Sequence, residues 1–363
     1  MRKLLLGLAF SLLASAALAA ETPAVAVKPA AAPADMMQAG TWYVTGDAAW
    51  EGVNLPDYNL GFHKVTNPSF FDGGTFQTFS QHLDGYRLQG AAGYFLPASY
   101  ASTLMGSNTR VEFGVLYSRA TGDASGRDVF TDGGIVTQTI DGAGAGGGYV
   151  CSPGQVCVTT SDLSTTYSDW KLNGKIAGDY RVDAFLLTPS LALFGGETQT
   201  DQLISQLTLL GAHPERLTYT ADTSLRSRDF GVRAGVDLKY DLAPQVTLGL
   251  GASAGLATRH ASFDGTDLAT DALFGFLTGA STVSGSDNAT PIVANTEVSV
   301  AYKWFPALTV RGFAGLNYDS KVAGIEAASF GGTVGGVTSR TPAHITFHSE
   351  IGYYVGSGVA WSF

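Results

Sequence analysis

The chain has 363 residues, with 31 acidic against 21 basic side chains and a formal charge of −10. That balance excludes a nucleic-acid partner held through its phosphates, which would be repelled. Only 14% of residues are charged while 46 are Gly, 20 Phe and 15 Tyr, well below the charge content of an ordinary soluble domain.

Taken from residue 1, Arg2 and Lys3 precede a short apolar run, Leu4-Leu5-Leu6-Gly7-Leu8-Ala9-Phe10, extended by Leu12 and Leu13. Ala17-Leu18-Ala19 then offers small residues at signal-peptidase spacing, and Glu21 opens the mature chain. This predicts a cleaved secretory signal over residues 1–20; a membrane anchor needs about 20 apolar residues. No Cys follows the cut, which disfavours a lipoprotein. Cleavage removes two basic residues and no acid, leaving 19 basic against 31 acidic groups and a charge of −12. Residues 21–40, rich in Ala with Pro23, Pro29 and Pro33, read as a flexible periplasmic lead-in. The greasiest later stretches, residues 184–196 and 246–257, are broken by Gly, Ser, Thr or Pro. A membrane protein made from this chain must then span with strands.

From Thr41 onward apolar residues alternate with polar or small ones, about ten at a time, the signature of membrane-spanning strands. Val111, Phe113, Val115 and Tyr117 oppose Arg110, Glu112, Gly114 and Ser118. Phe230, Val232, Ala234, Val236, Leu238 and Tyr240 alternate with Asp229, Gly231, Arg233, Gly235, Asp237 and Lys239. Aromatic residues recur at the ends of these runs (Trp42, Trp50, Tyr86, Tyr94, Trp170, Tyr180, Tyr240, Trp304, Tyr318, Trp361), where interfacial girdles require them. Short connections near residues 97–108, 179–183, 241–244 and 305–307 alternate with long ones over 53–82, 121–164, 198–224, 261–291 and 321–342. The pattern predicts an all-β fold over residues 41–363: a transmembrane antiparallel up-and-down β-barrel of about ten strands, with eight or twelve as alternatives. Short periplasmic turns, long extracellular loops, both chain ends in the periplasm and a place in the Gram-negative cell outer membrane go with it.

The inward row would then carry the function. By facing, Asp47, Glu51, Arg87, Arg110, Glu112, Lys171, Lys175, Arg181, Arg233, Asp237, Lys239, Arg259, Glu297, Lys303, Arg311 and Glu350 point into the lumen. His344 and His348 share the row of Glu350 in the last strand. Charges at bilayer depth persist by pairing or by meeting water, so these residues either plug a narrow barrel with salt bridges or line a small polar channel. His260 with Asp264 and Asp267 stands in no recognisable catalytic motif, and no catalytic, metal or cofactor site is expected. Gly142 to Gly147 matches the letters of a dinucleotide fingerprint but lacks a following helix and reads as a loop. Cys151 and Cys157 bracket a Pro153-Gly154 turn and are expected to form a disulfide in the oxidising periplasm.

The stretch from Arg228 to Leu238, Asn295-Thr296-Glu297-Val298 leading into Tyr302-Lys303, and the final hairpin resemble the Legionella-type pore-forming outer-membrane protein family. The opening Gly40-Thr41-Trp42-Tyr43-Val44 and the closing Trp361-Ser362-Phe363 are similar to those of outer-membrane barrels at large, porin-like and autotransporter-type included. The resemblance implies a pore, for ions or small polar solutes; the long loops suggest the alternative, a non-conducting structural or surface-interaction protein. It also implies that Phe363 is the strand signal for the barrel-assembly machinery. The partners expected are outer-membrane lipids, with that machinery and periplasmic chaperones during biogenesis, and the default state is a monomer.

Overall fold

The computed structural model describes residues 40–65, 75–97, 107–130, 133–138, 140, 145–151, 156–210, 216–271, 279–333 and 336–363. The signal and nearly all of the lead-in expected over residues 1–40 lie outside these. Among the described residues strands follow one another without a helix: β1 (Trp42–Val65), β2 (Thr75–Phe95), β3 (Ser107–Phe130), β4 (Gly133–Gln138), β5 (Ala145–Cys151), β6 (Cys157–Val182), β7 (Phe185–Leu210) and β8 (Arg216–Ala243). Then come β9 (Val246–Asp271), β10 (Gly279–Ala289), β11 (Ile292–Phe305), β12 (Leu308–Glu326), β13 (Ser329–Thr333), β14 (Gly336–Thr341) and β15 (His344–Ser362). Gly146 and Gly147, expected in a loop, belong to β5.

Ten strands form the ring, in the order β1, β2, β3, β6, β7, β8, β9, β11, β12, β15, each antiparallel to the next. β15 closes it by pairing with β1 from Tyr43↔Ser362 to Gly52↔Tyr353. The seam is finished by Trp42 and Phe363, whose N–H groups donate to each other's carbonyls at 3.1 and 2.9 Å. β10 pairs with the far part of β9, and β11 takes over after Thr290-Pro291, since Pro has no N–H for the ladder. β4 and β5 extend the far end of β1 as a hairpin, and β13 with β14 forms a separate one.

The registers set the barrel's dimensions. Direct partners lead from Trp42 through Tyr94, Val111, Ile176, Leu191, Ala234, Ala254, Ala294 and Tyr318 to Ile351. Ile351 lies two residues before Tyr353, the partner of Gly52, so the path regains β1 opposite Asn54, twelve positions beyond its start. Asn54 marks that meeting by donating its Nδ2 to the Ile351 carbonyl at 2.5 Å. Ten strands with this stagger tilt by roughly 40° around a backbone radius of about 10 Å.

The start of β1, the end of β15 and the tight turns joining β6 to β7, β8 to β9 and β11 to β12 lie at one end of the ring. Asp183 turns the first of these with a φ of 53°, a left-handed conformation that Asp tolerates. The expected long loops differ from the structure. Residues 198–224 are strand up to Leu210 and again from Arg216, and residues 121–164 and 261–291 are also largely strand. β8 alone has 28 residues, against the 9–11 that span a bilayer. The strands continue beyond the zone of apolar outward residues, where both faces carry Thr, Ser, Gln and Asp. Alternation weakens there while the hydrogen-bond ladder does not.

Candidate functional site: belt, lumen and inner core

Outward residues form an apolar belt around the ring. Trp42, Val44 and Trp50 on β1, Phe113, Val115 and Tyr117 on β3, and Val298, Val300 and Tyr302 on β11 are all exposed, Phe113 to 72%. Exposed apolar surface on this scale marks contact with something other than water. Aromatic rings bracket it. Trp42 packs on Tyr94 at 4.9 Å and Phe185 on Tyr240 at 5.2 Å at the end where β1 starts and β15 stops. Trp50 meets Tyr353 at 5.3 Å and Tyr86 meets Tyr117 at 6.2 Å on the other side. From Trp42 to Trp50 the belt is roughly 20 Å tall at the strand rise and tilt, near the height of a membrane barrel's apolar band.

Inside the belt, large side chains lie against glycines of the neighbouring strand. The Tyr43 ring covers Gly93, Tyr354 covers Gly315 and Phe194 covers Gly231, where a Cβ would collide. The inward charges then organise into local networks rather than opposite walls. Arg311 holds Asp47 through two bonds of 3.0 and 2.6 Å and reaches Glu297 at 3.2 Å. Tyr354 Oη donates to Glu297 at 3.1 Å and accepts from Asn295 Nδ2 at 2.9 Å. Glu112 receives Lys175 and the Tyr43 hydroxyl, both at 2.7 Å. Arg110 pairs with Asp179 at 2.9 Å, and Lys171 with Asp169 at 2.7 Å. Arg87 stacks on Tyr354 at 4.4 Å and Arg233 on Phe194 at 4.8 Å. Asp237 leans over Gly251 on the same side of the wall. Lys239 is exposed, while Lys303 and Glu350 are half-buried. Arg181 is a rim residue, 3.7 Å from exposed Asp241.

Above the belt the interior changes character. Tyr58, Leu60, Phe79, Leu163, Ile204 and Phe263 belong to one buried apolar cluster, with Ile140 from beyond β4 inserted into it. Beneath it runs a buried amide layer: Thr165 Oγ1 and Gln202 Nε2 donate to Gln81 Oε1 at 3.0 and 2.8 Å, and Gln81 Nε2 donates to the Pro56 carbonyl at 2.6 Å. Arg259 lies just above the belt, buried between Asp229 at 2.6 Å and Asp319 at 2.7 Å. Asp267 anchors Ile140 by accepting its N–H at 2.7 Å, and also accepts from the Tyr219 hydroxyl at 3.2 Å and from Ser281. Burial holds the Tyr58 hydroxyl well above the ordinary tyrosine range, and the Asp267 charge adds to the effect. None of these inner-core residues was singled out as functional from sequence except Arg259 and Asp267.

His348 is a correction. A bulge between Asp319 and Val322 shifts the β12–β15 register, so side-chain facing in β15 reverses between Glu350 and Phe347. Ile345 enters the apolar core and Phe347 packs on it, leaving His344 and His348 exposed and out of the lumen row. His260 likewise points outward, bonded to Asn288 at 2.9 Å, and Asp264 is exposed while Asp267 is buried inside. Those three do not converge. Among the described residues no group of three His, Cys, Asp or Glu is placed to hold a metal. Cys157 is fully buried at the start of β6; the side chain of Cys151 lies outside the described residues.

No protein-family model matches the chain, and no curated protein matches it. Solved structures of similar outline include the outer membrane protease OmpT from Escherichia coli, 12% identical with a TM-score of 0.43, aligned over 89% of this chain and 97% of that one. The translocator domain of autotransporter NalP from Neisseria meningitidis is 12% identical at a TM-score of 0.30, over 91% and 90%. An outer membrane channel from Pseudomonas putida F1 is 8% identical at 0.31, over 92% and 100%. At these scores the likeness assigns no residue a role.

Proposed function

We propose that this chain is an integral β-barrel of a Gram-negative cell outer membrane, and that its resting barrel is sealed. The observation that carries the reading is the apolar core inside the ring, where Leu163, Ile204 and Phe263 are each at most 2% exposed. Ions shed hydration poorly, so a dry apolar section of lumen is a barrier even above a wet one. A sealed barrel whose strands rise past the belt makes a rigid stalk, suited to a structural or surface-interaction role. In this reading the signal over residues 1–20 and the lead-in over 21–40 deliver the chain to the periplasm. Phe363 then guides assembly, the chain ends stay periplasmic, outer-membrane lipids surround a monomer, and a Cys151–Cys157 disulfide braces the tip.

A porin-like pore for ions or small polar solutes, as the Legionella-type resemblance implies, is the second reading. It is favoured by one observation: within the belt the inward charges stay partly wet, with Arg311, Lys171 and Lys175 side chains 32%, 31% and 29% exposed. Conduction would require the core above them to part. Planar-bilayer recording on purified, heat-modifiable protein separates the two. The expected record is silent, with stepwise openings on replacing Leu163 and Ile204 by Gly. Frequent, salt-dependent openings of the unaltered protein would sink the sealed reading and move the question to selectivity.

A further inference from the structure

We propose that the belt lumen binds one small oxyanion (sulfate, phosphate or a solute carboxylate) between Arg87 and Arg233. Lys171, Lys175, Arg110, Arg259 and Arg311 each hold a carboxylate at 3.2 Å or closer. Arg87 and Arg233 hold none among the described residues. Among the described residues Arg87 donates only to Gln89 at 3.2 Å, and Glu51, whose field reaches it, forms no ion pair with it. Arg233 Nε is buried without a hydrogen-bond partner. Unpaired charge at bilayer depth is costly, and a buried donor with no partner calls for a missing water or ion.

The geometry points to an ion. β2 and β8 stand four places apart in a ring of ten, so Arg87 and Arg233 face one another across the lumen. Each repels the other, and both lie within electrostatic reach of Tyr354. Each guanidinium lies over an aromatic ring, Tyr354 or Phe194. Those rings are pinned on Gly315 and Gly231 and are themselves buried. Stacking fixes the guanidinium plane and leaves its N–H edges free, the arrangement that grips an oxyanion through paired bonds. Ala91, Ser253 and Gly255 on the walls nearby are small and only half-buried. An anion there turns mutual repulsion into a bridge across the barrel.

The test reads binding rather than current, so it stands or falls apart from the conductance question. Full-length barrel in uncharged detergent is titrated calorimetrically with sodium sulfate at constant ionic strength, the balance being chloride. One sulfate per barrel is expected, weakened at least tenfold (roughly 1.4 kcal/mol) in Arg233→Gln and in Arg87→Gln, and unchanged in the rim variant Arg181→Gln. No saturable uptake by the unaltered protein, or equal affinity in all variants, would overturn the proposal. Should either Gln variant fail to show heat-modifiable folding, crystals of the unaltered protein soaked in selenate decide. An anomalous peak between the two guanidiniums upholds the site, and its absence removes it.

Discussion

At Gly315 a single hydrogen in place of a side chain lets the Tyr354 ring lie flat on the wall. That fit places the Tyr354 hydroxyl where Asn295 and Glu297 meet it, and Arg87 above its face. Gly315→Val is therefore expected to lower stability by about 1–3 kcal/mol through overpacking. Urea unfolding in vesicles, followed by tryptophan fluorescence, measures it; an unchanged midpoint would mean the ring has room to move. Tyr58 carries a prediction about pH. Its folded-state value is raised, so the stabilisation present below the free tyrosine value is lost as pH climbs toward the folded one. Above about pH 10 its share of stability should fall by up to ~1.4 kcal/mol per pH unit. Tyr58→Phe should flatten that slope, and parallel slopes for the two proteins would refute it.

Among the elements, β7 and β8 show how sequence contrast and structure part company. Below Gly195 the outward row of β7 is Phe185, Leu187, Leu191 and Leu193, and the inward row runs Leu186, Thr188, Ser190, Ala192 and Phe194. Farther on, Thr200, Gln202, Gln206 and Thr208 are the buried side and Leu203 and Leu209 the exposed one. The polar–apolar contrast persists weakly and no longer marks a lipid face. The ladder nevertheless runs unbroken from Phe185↔Tyr240 to Leu209↔Arg216. Amide hydrogen exchange at Gln202, Ile204 and Gln206 should accordingly be as slow as at Leu191 and Leu193. Exchange within seconds at the first three alone would mean loops, as alternation suggested. The reversal in β15 belongs to the same scale: one bulge sends Ile345 inward and His348 outward.

For the whole molecule, the twelve-position stagger makes the ring slightly wider than a side-chain-filled eight-stranded barrel. The extra width is occupied in two different ways. Through the belt it holds partly exposed ion pairs; beyond the belt it holds an apolar core and an amide layer. A barrel with an apolar belt outside and a protein-like core inside its projecting half resists opening at that half. The conductance experiment addresses this property directly.

The antiparallel barrel, its ten strands, the belt with its two aromatic girdles and the inward facing of most charges were legible in the residues. Each rests on a two-residue period, and a closed sheet has one inside and one outside. Strand length beyond the belt was not legible, because water accepts any residue on the outer face once lipid ends. Nor was His348, whose facing depends on one bulge that alternation cannot register. The networks inside the lumen, the two arginines left over and the apolar core that fills the far half were decided by tertiary structure alone. Which inward residues meet depends on the stagger around the ring, and that joins positions as distant in sequence as Asp47 and Arg311.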